Sequence, residues 1–128
     1  MTTRAAAVTE GEAPVDQLLR LVRGLGVLTP MPEAVRQYLL RYPDLMPALR
    51  TACSSTAERF RGRAQVSLEI WRDPEGEEAY PTLYVRQDHY DPGILDEVEA
   101  VSLCFEEQLG ASGGWLLVTT DFAPPRSR

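Results

Sequence analysis

The chain has 128 residues, 44% hydrophobic and 25% charged, with a net charge of −6. That length fits one domain, and the composition excludes a fibrous or wholly disordered chain. No apolar run approaches the ~20 residues that span a bilayer, and the first dozen residues lack the apolar stretch of a signal peptide, so a cytoplasmic protein is expected.

Every one of the 13 basic residues is arginine, and the charge is split along the chain. Through Arg63, nine arginines outnumber six acids; beyond it, thirteen acids face four arginines. An acidic chain repels phosphate, which disfavours nucleic-acid binding as the main activity and favours a basic partner protein. The competing reading is a solvated acidic surface.

Residues 1–13 are small and polar without periodicity, and residues 123–128 form a Pro-Pro, Ser and Arg stretch. Both are expected to be disordered tails flanking a single α+β domain over 14–122. Val15, Leu18, Leu19, Val22 and Leu25 predict a first helix over 14–25, with Gly24 and Gly26 at its exit. Thr29 and Pro30 read as the cap and first position of a second helix, which turns Met31, Val35, Tyr38 and Leu39 inward and stops at Pro43. Asp44 reads as the cap of a third, with Leu45, Leu49, Cys53, Thr56 and Phe60 on its buried side.

The period then becomes two. Val66, Leu68 and Ile70 alternate with Ser67, Glu69 and Trp71, and after turn chemistry at 73–78, Leu83 and Val85 alternate with Tyr84 and Arg86 over 82–87. These two strands predict a hairpin. Asp91-Pro92 repeats the cap signal for a helix burying Ile94, Val98, Val101 and Phe105 and ending at Gly110, and Gly113-Gly114 leads into a third strand over 115–122. The expected fold is α+β: three N-terminal helices, then β-β-α-β, forming a small, mainly antiparallel sheet with helices on one face and spatial strand order 2-1-3.

Tyr38-Leu39-Leu40 with Pro43 and Leu45, Asp73-Pro74-Glu75, and Leu83-Tyr84-Val85 resemble segments of small uncharacterised bacterial and archaeal proteins. The resemblance covers roughly residues 31–122. It implies an α+β fold and carries no activity or catalytic residue across.

Asp88-His89-Tyr90-Asp91 is the best catalytic candidate, because His89 is the only histidine and Asp88 or Asp91 could orient it as a general base. No serine or cysteine stands in a nucleophile pattern beside it, and the competing reading makes Asp91 a helix cap with His89 and Tyr90 in the preceding loop. A lone His with two Asp lacks a second His or a Cys-x-x-Cys, so neither metal nor cofactor is expected. The acidic turn at 73–78 matches no calcium loop. Cys53 and Cys104 each fall on the apolar side of a predicted helix and read as buried free thiols. The glycines at 110, 113 and 114 precede a strand, not a helix, and read as a connector rather than a phosphate cradle.

Trp71, Tyr84 and Arg86 project from the hairpin opposite its apolar face, and aromatic and arginine side chains are the types enriched in binding hot spots. That face is either an interface or covered by the N-terminal helices. The function expected is a non-catalytic interaction module, an antitoxin-like protein or inhibitor of a basic partner protein, with a homodimer as a further form. The alternatives are a small enzyme built on His89 and a nucleic-acid-binding module, the latter disfavoured by charge.

Overall fold

A computed structural model describes residues 12–127. The tail expected at the N-terminus lies outside the described residues up to position 11, whereas Glu12 and Ala13 open the first helix. Helix α1 (Glu12–Gly24) buries Val15, Leu18, Leu19 and Val22. Leu25 was expected inward but is exposed, since the chain turns off the helix axis through Gly26 at φ +87°.

Helix α2 (Pro32–Arg41) starts from Met31, so the proline in its first turn is Pro32, not Pro30, and the Thr29 hydroxyl accepts from Arg23 Nε at 3.3 Å instead of capping. A 3-10 turn (Pro43–Leu45) runs directly into α3 (Met46–Arg59) with no side-chain cap. Asp44 is used elsewhere: its carboxylate accepts the Gly113 N–H at 2.9 Å across the fold. Leu45, Leu49, Cys53, Thr56 and Phe60 are buried as their spacing predicts.

Strands β1 (Gln65–Arg72) and β2 (Ala79–Arg86) form the antiparallel hairpin. Helix α4 (Ile94–Gly110) then crosses over to β3 (Leu117–Thr119), which lies parallel to β2. The sheet is therefore mixed, not mainly antiparallel, and its order is β1-β2-β3 rather than 2-1-3. The outer edge of β1 explains the difference. Leu28 bridges there, its N–H donating to the Val66 carbonyl at 2.9 Å and its carbonyl accepting from the Leu68 N–H at 2.8 Å. With that edge taken, β3 adds to β2. It is also shorter than the 115–122 expected, running only from Leu117 to Thr119, and beyond it the chain turns at Phe122, a non-glycine residue at φ 56°.

Val66 pairs with Val85 and Leu68 with Leu83, while Leu83 faces Val118, so one sheet face is apolar up to exposed Arg72 at its hairpin end. It merges with the buried faces of the helices, including Ile94, Val98, Val101 and Phe105 of α4, in a single core. Cys104 is exposed, contrary to expectation, since one residue along a helix rotates the side chain by about 100° away from buried Phe105. Trp71, Tyr80 and Tyr84 stand on the opposite sheet face, outside the core. Among the described residues no helix is long and apolar enough to cross a membrane.

Candidate interaction surface

The pairing register sets Trp71 opposite Tyr80, and their rings lie 5.1 Å apart at 36°. Tyr84, which shares this face, stands opposite Ser67. The strand starts at Ala79 rather than at position 82, which brings Tyr80 into the alternating series. Pro81 hides that start in the sequence. It is tolerated inside the strand because β3 pairs only with Thr82, Leu83 and Tyr84, so the missing N–H falls beyond the parallel ladder.

Around the hairpin end of the sheet the aromatic surface continues into a cleft of about 640 Å³. Tyr38, Tyr42, Tyr80 and Trp115 supply its rings, with Arg41, Arg72, Glu77 and Glu78 among the lining charges. The Tyr38 and Tyr42 rings are 4.8 Å apart, and the Tyr38 hydroxyl accepts the Trp115 N–H at 2.9 Å. Gly114 allows this closure by having no side chain. A Cβ there would lie 3.0 Å from Tyr42 Cβ and 3.3 Å from Tyr38 Cε2. Trp115 remains 51% exposed. Burial pushes the Tyr38 and Tyr80 hydroxyls up, and at Tyr80 the Glu78 carboxylate adds to it. Arg72, Glu77 and Glu78 have no ion-pair partner among the described residues.

Arg86 shares the Trp71 face but is buried and committed. Its Nη1 donates to Glu69 at 2.8 Å, and its Nε and Nη2 donate to Asp121 at 3.1 and 2.8 Å. Its guanidinium carbon lies 4.6 Å from the centre of the Tyr84 ring. Glu69 also receives Ser67 Oγ at 2.8 Å and Arg126 Nε at 2.9 Å. Burial pushes the Glu69 carboxyl up, but the hydrogen bonds from Arg126, Arg86 and Ser67 outweigh it and hold the group below the usual carboxylate range. Arg86 therefore braces this surface from within. Residues 123–127, expected to be loose, have no regular secondary structure, yet Arg126 is tied to β1.

The Asp88, His89 and Asp91 constellation is not assembled. Asp88 and His89 are exposed, and no hydrogen bond joins His89 to either Asp among the described residues. Asp91 does not cap α4, whose N-cap is Gly93. Its carboxylate instead accepts from Gln87 Nε2 at 2.9 Å and Arg63 Nη2 at 3.2 Å, and both hold it below its ordinary pKa. Among the described residues no three His, Cys, Asp or Glu side chains converge as metal ligands.

No protein-family model, curated protein or solved structure matches the chain. The aromatic surface is thus identified from its own geometry. Tyr80 is legible in the sequence only as a backward extension of the alternation; Tyr38 reads as an inward residue and does pack against the core while also lining the cleft, and Trp115 lies just before β3 rather than inside it.

Proposed function

We propose that the chain is a non-catalytic interaction module that docks a basic partner protein on the surface running from Trp71 and Tyr80 to Trp115. The observation that carries this reading is that Trp71, Tyr80 and Trp115 lie outside the core, with Tyr80 and Trp115 lining an open cleft. Aromatic residues concentrate binding energy at interfaces because they remove much area from water with few rotatable bonds. The preference for a basic partner rests on charge. Between Arg86 and Arg126 there is no basic residue other than His89, against eight acids. An inhibitor of a basic protein, in the manner of an antitoxin, is the concrete form of this reading. Its cysteines are unpaired, which suits the reducing cytoplasm.

The test is co-purification of the tagged chain from its own host, followed by direct titration of the partner identified. Trp71→Ala and Trp115→Ala should each weaken that complex by about 30-fold, the loss expected for a hot spot of roughly 2 kcal/mol. Equal affinity of parent and both variants, with folds intact by circular dichroism, would remove the proposal.

A further inference from the structure

Beyond β3, the chain returns across the outer sheet face to β1, and there Arg126 is read twice. Gln65 reads its main chain: Oε1 accepts the Arg126 N–H at 2.7 Å, and Nε2 donates to the Arg126 carbonyl at 2.9 Å. Glu69 reads its side chain, Oε2 accepting from Nε at 2.9 Å and Oε1 from Nη2 at 3.1 Å. Gln65 and Glu69 are four residues apart on one strand and so share a face. A paired main-chain donor and acceptor beside a two-point carboxylate contact recognises an arginine within a chain, not a cation in general.

The two halves of this contact are unequally fixed. The Glu69 side chain is only 9% exposed and is braced by Arg86 and Ser67, whereas the Arg126 side chain is 47% exposed. Across the strand pair from Glu69, Thr82 has a buried hydroxyl with no hydrogen-bond partner among the described residues. The receptor is built into the sheet, and the arginine is the replaceable part.

We propose that Gln65 and Glu69 form a recognition niche for an arginine carried by a segment of the partner protein, which Arg126 occupies as an intramolecular competitor. This deepens the docking reading by naming the chemistry the partner presents, and it rests on that reading only for the partner's being a protein.

The experiment uses the full chain carrying Arg126→Ala and a synthetic Ala-Pro-Pro-Arg-Ser-Arg peptide, followed by the backbone amide resonances of β1. The peptide is raised to about 10 mM, above the roughly millimolar effective concentration of a tethered segment. Saturable binding to the Arg126→Ala chain is expected, at least about 10-fold weaker to the parent chain, whose own arginine competes. Replacing the first peptide arginine by lysine should weaken binding, because an ammonium cannot form the planar fork. Gln65→Ala added to Arg126→Ala should weaken it as well. Gln65→Ala is chosen because it leaves the Glu69–Arg86 pair intact, and Glu69→Gln supplies a second check. Absence of saturable binding to Arg126→Ala, or binding unchanged by both second substitutions, would overturn the niche. A dimer formed by the parent and lost in Arg126→Ala would reassign Arg126 to exchange between copies and overturn the partner reading. None of these results alters the Trp71 and Trp115 test, so failure of the niche and failure of the docking surface are separable.

Discussion

Trp71 and Tyr80 stand directly opposite one another on β1 and β2, rings 5.1 Å apart, and neither belongs to the core. Such a cross-strand pair contributes about 0.2–1 kcal/mol to folding. Tyr80→Ala should therefore shift the thermal midpoint little while weakening partner binding by about 30-fold, as argued for Trp71. Thermal unfolding and titration of the same preparation check both halves. Collapse of the fold in either variant would place these rings among the structural residues.

Two adjacent glycines make a sharper test of the cleft. A Cβ at Gly114 would press on Tyr42 Cβ at 3.0 Å, an atom that cannot swing aside without its backbone, whereas one at Gly113 would meet the Asp44 carboxylate at an ordinary 3.6 Å. Gly114→Ala should cost about 1–3 kcal/mol in chemical denaturation, the range for overpacking, and Gly113→Ala much less. Equal effects would mean that the connector does not hold Tyr38 and Tyr42 in place.

The two thiols should separate cleanly. Burial pushes the Cys53 thiol up to about 12, leaving almost no thiolate near neutrality, while Cys104 is exposed on α4. One equivalent of a thiol reagent should react with the native chain and a second only after unfolding. Cys104→Ser should abolish the native reaction. Native labelling of Cys53 would show that the core opens beneath α3.

Acid should weaken the fold through a defined set of carboxylates. Glu69, Asp91, Glu97 and Asp121 are all held below their ordinary pKa values by arginine or amide hydrogen bonds. A depressed folded-state value stabilises above the unfolded value, near 4, and that contribution is lost as pH falls through the folded value. The thermal midpoint should be flat from about pH 7 to 5 and fall below about pH 4. The difference between the parent and Glu69→Gln should narrow over the same acid range as Glu69 becomes neutral. A constant difference down to pH 2 would show that the Glu69 charge contributes nothing.

The buried faces of α1, α3 and α4 were legible because burial of one helix side is written locally, as in Leu45, Leu49, Cys53, Thr56 and Phe60. Strand order was not, because it depends on Leu28 reaching β1, and a single bridging residue has no period. Thr29, Asp44 and Asp91 all looked like helix caps. Each spends its oxygens on a residue outside the helix it was expected to cap, and the same side-chain chemistry serves both uses. Of the surface, Trp71 and Tyr84 followed from alternation. The commitment of Arg86 to Asp121 and the return of Arg126 to Glu69 join residues 35 and 57 positions apart, beyond the reach of any local pattern.

The Leu28 bridge has a consequence for assembly at high concentration. It interrupts the outer edge of β1 at Val66 and Leu68, leaving only the last four residues of that strand unpaired there, and β3 offers three. Fibril-like stacking recruits runs of about six residues with free main-chain groups. Neither border of this sheet is that long, so the exposed Trp115 and Leu117 can remain available to a partner without the sheet templating copies of itself.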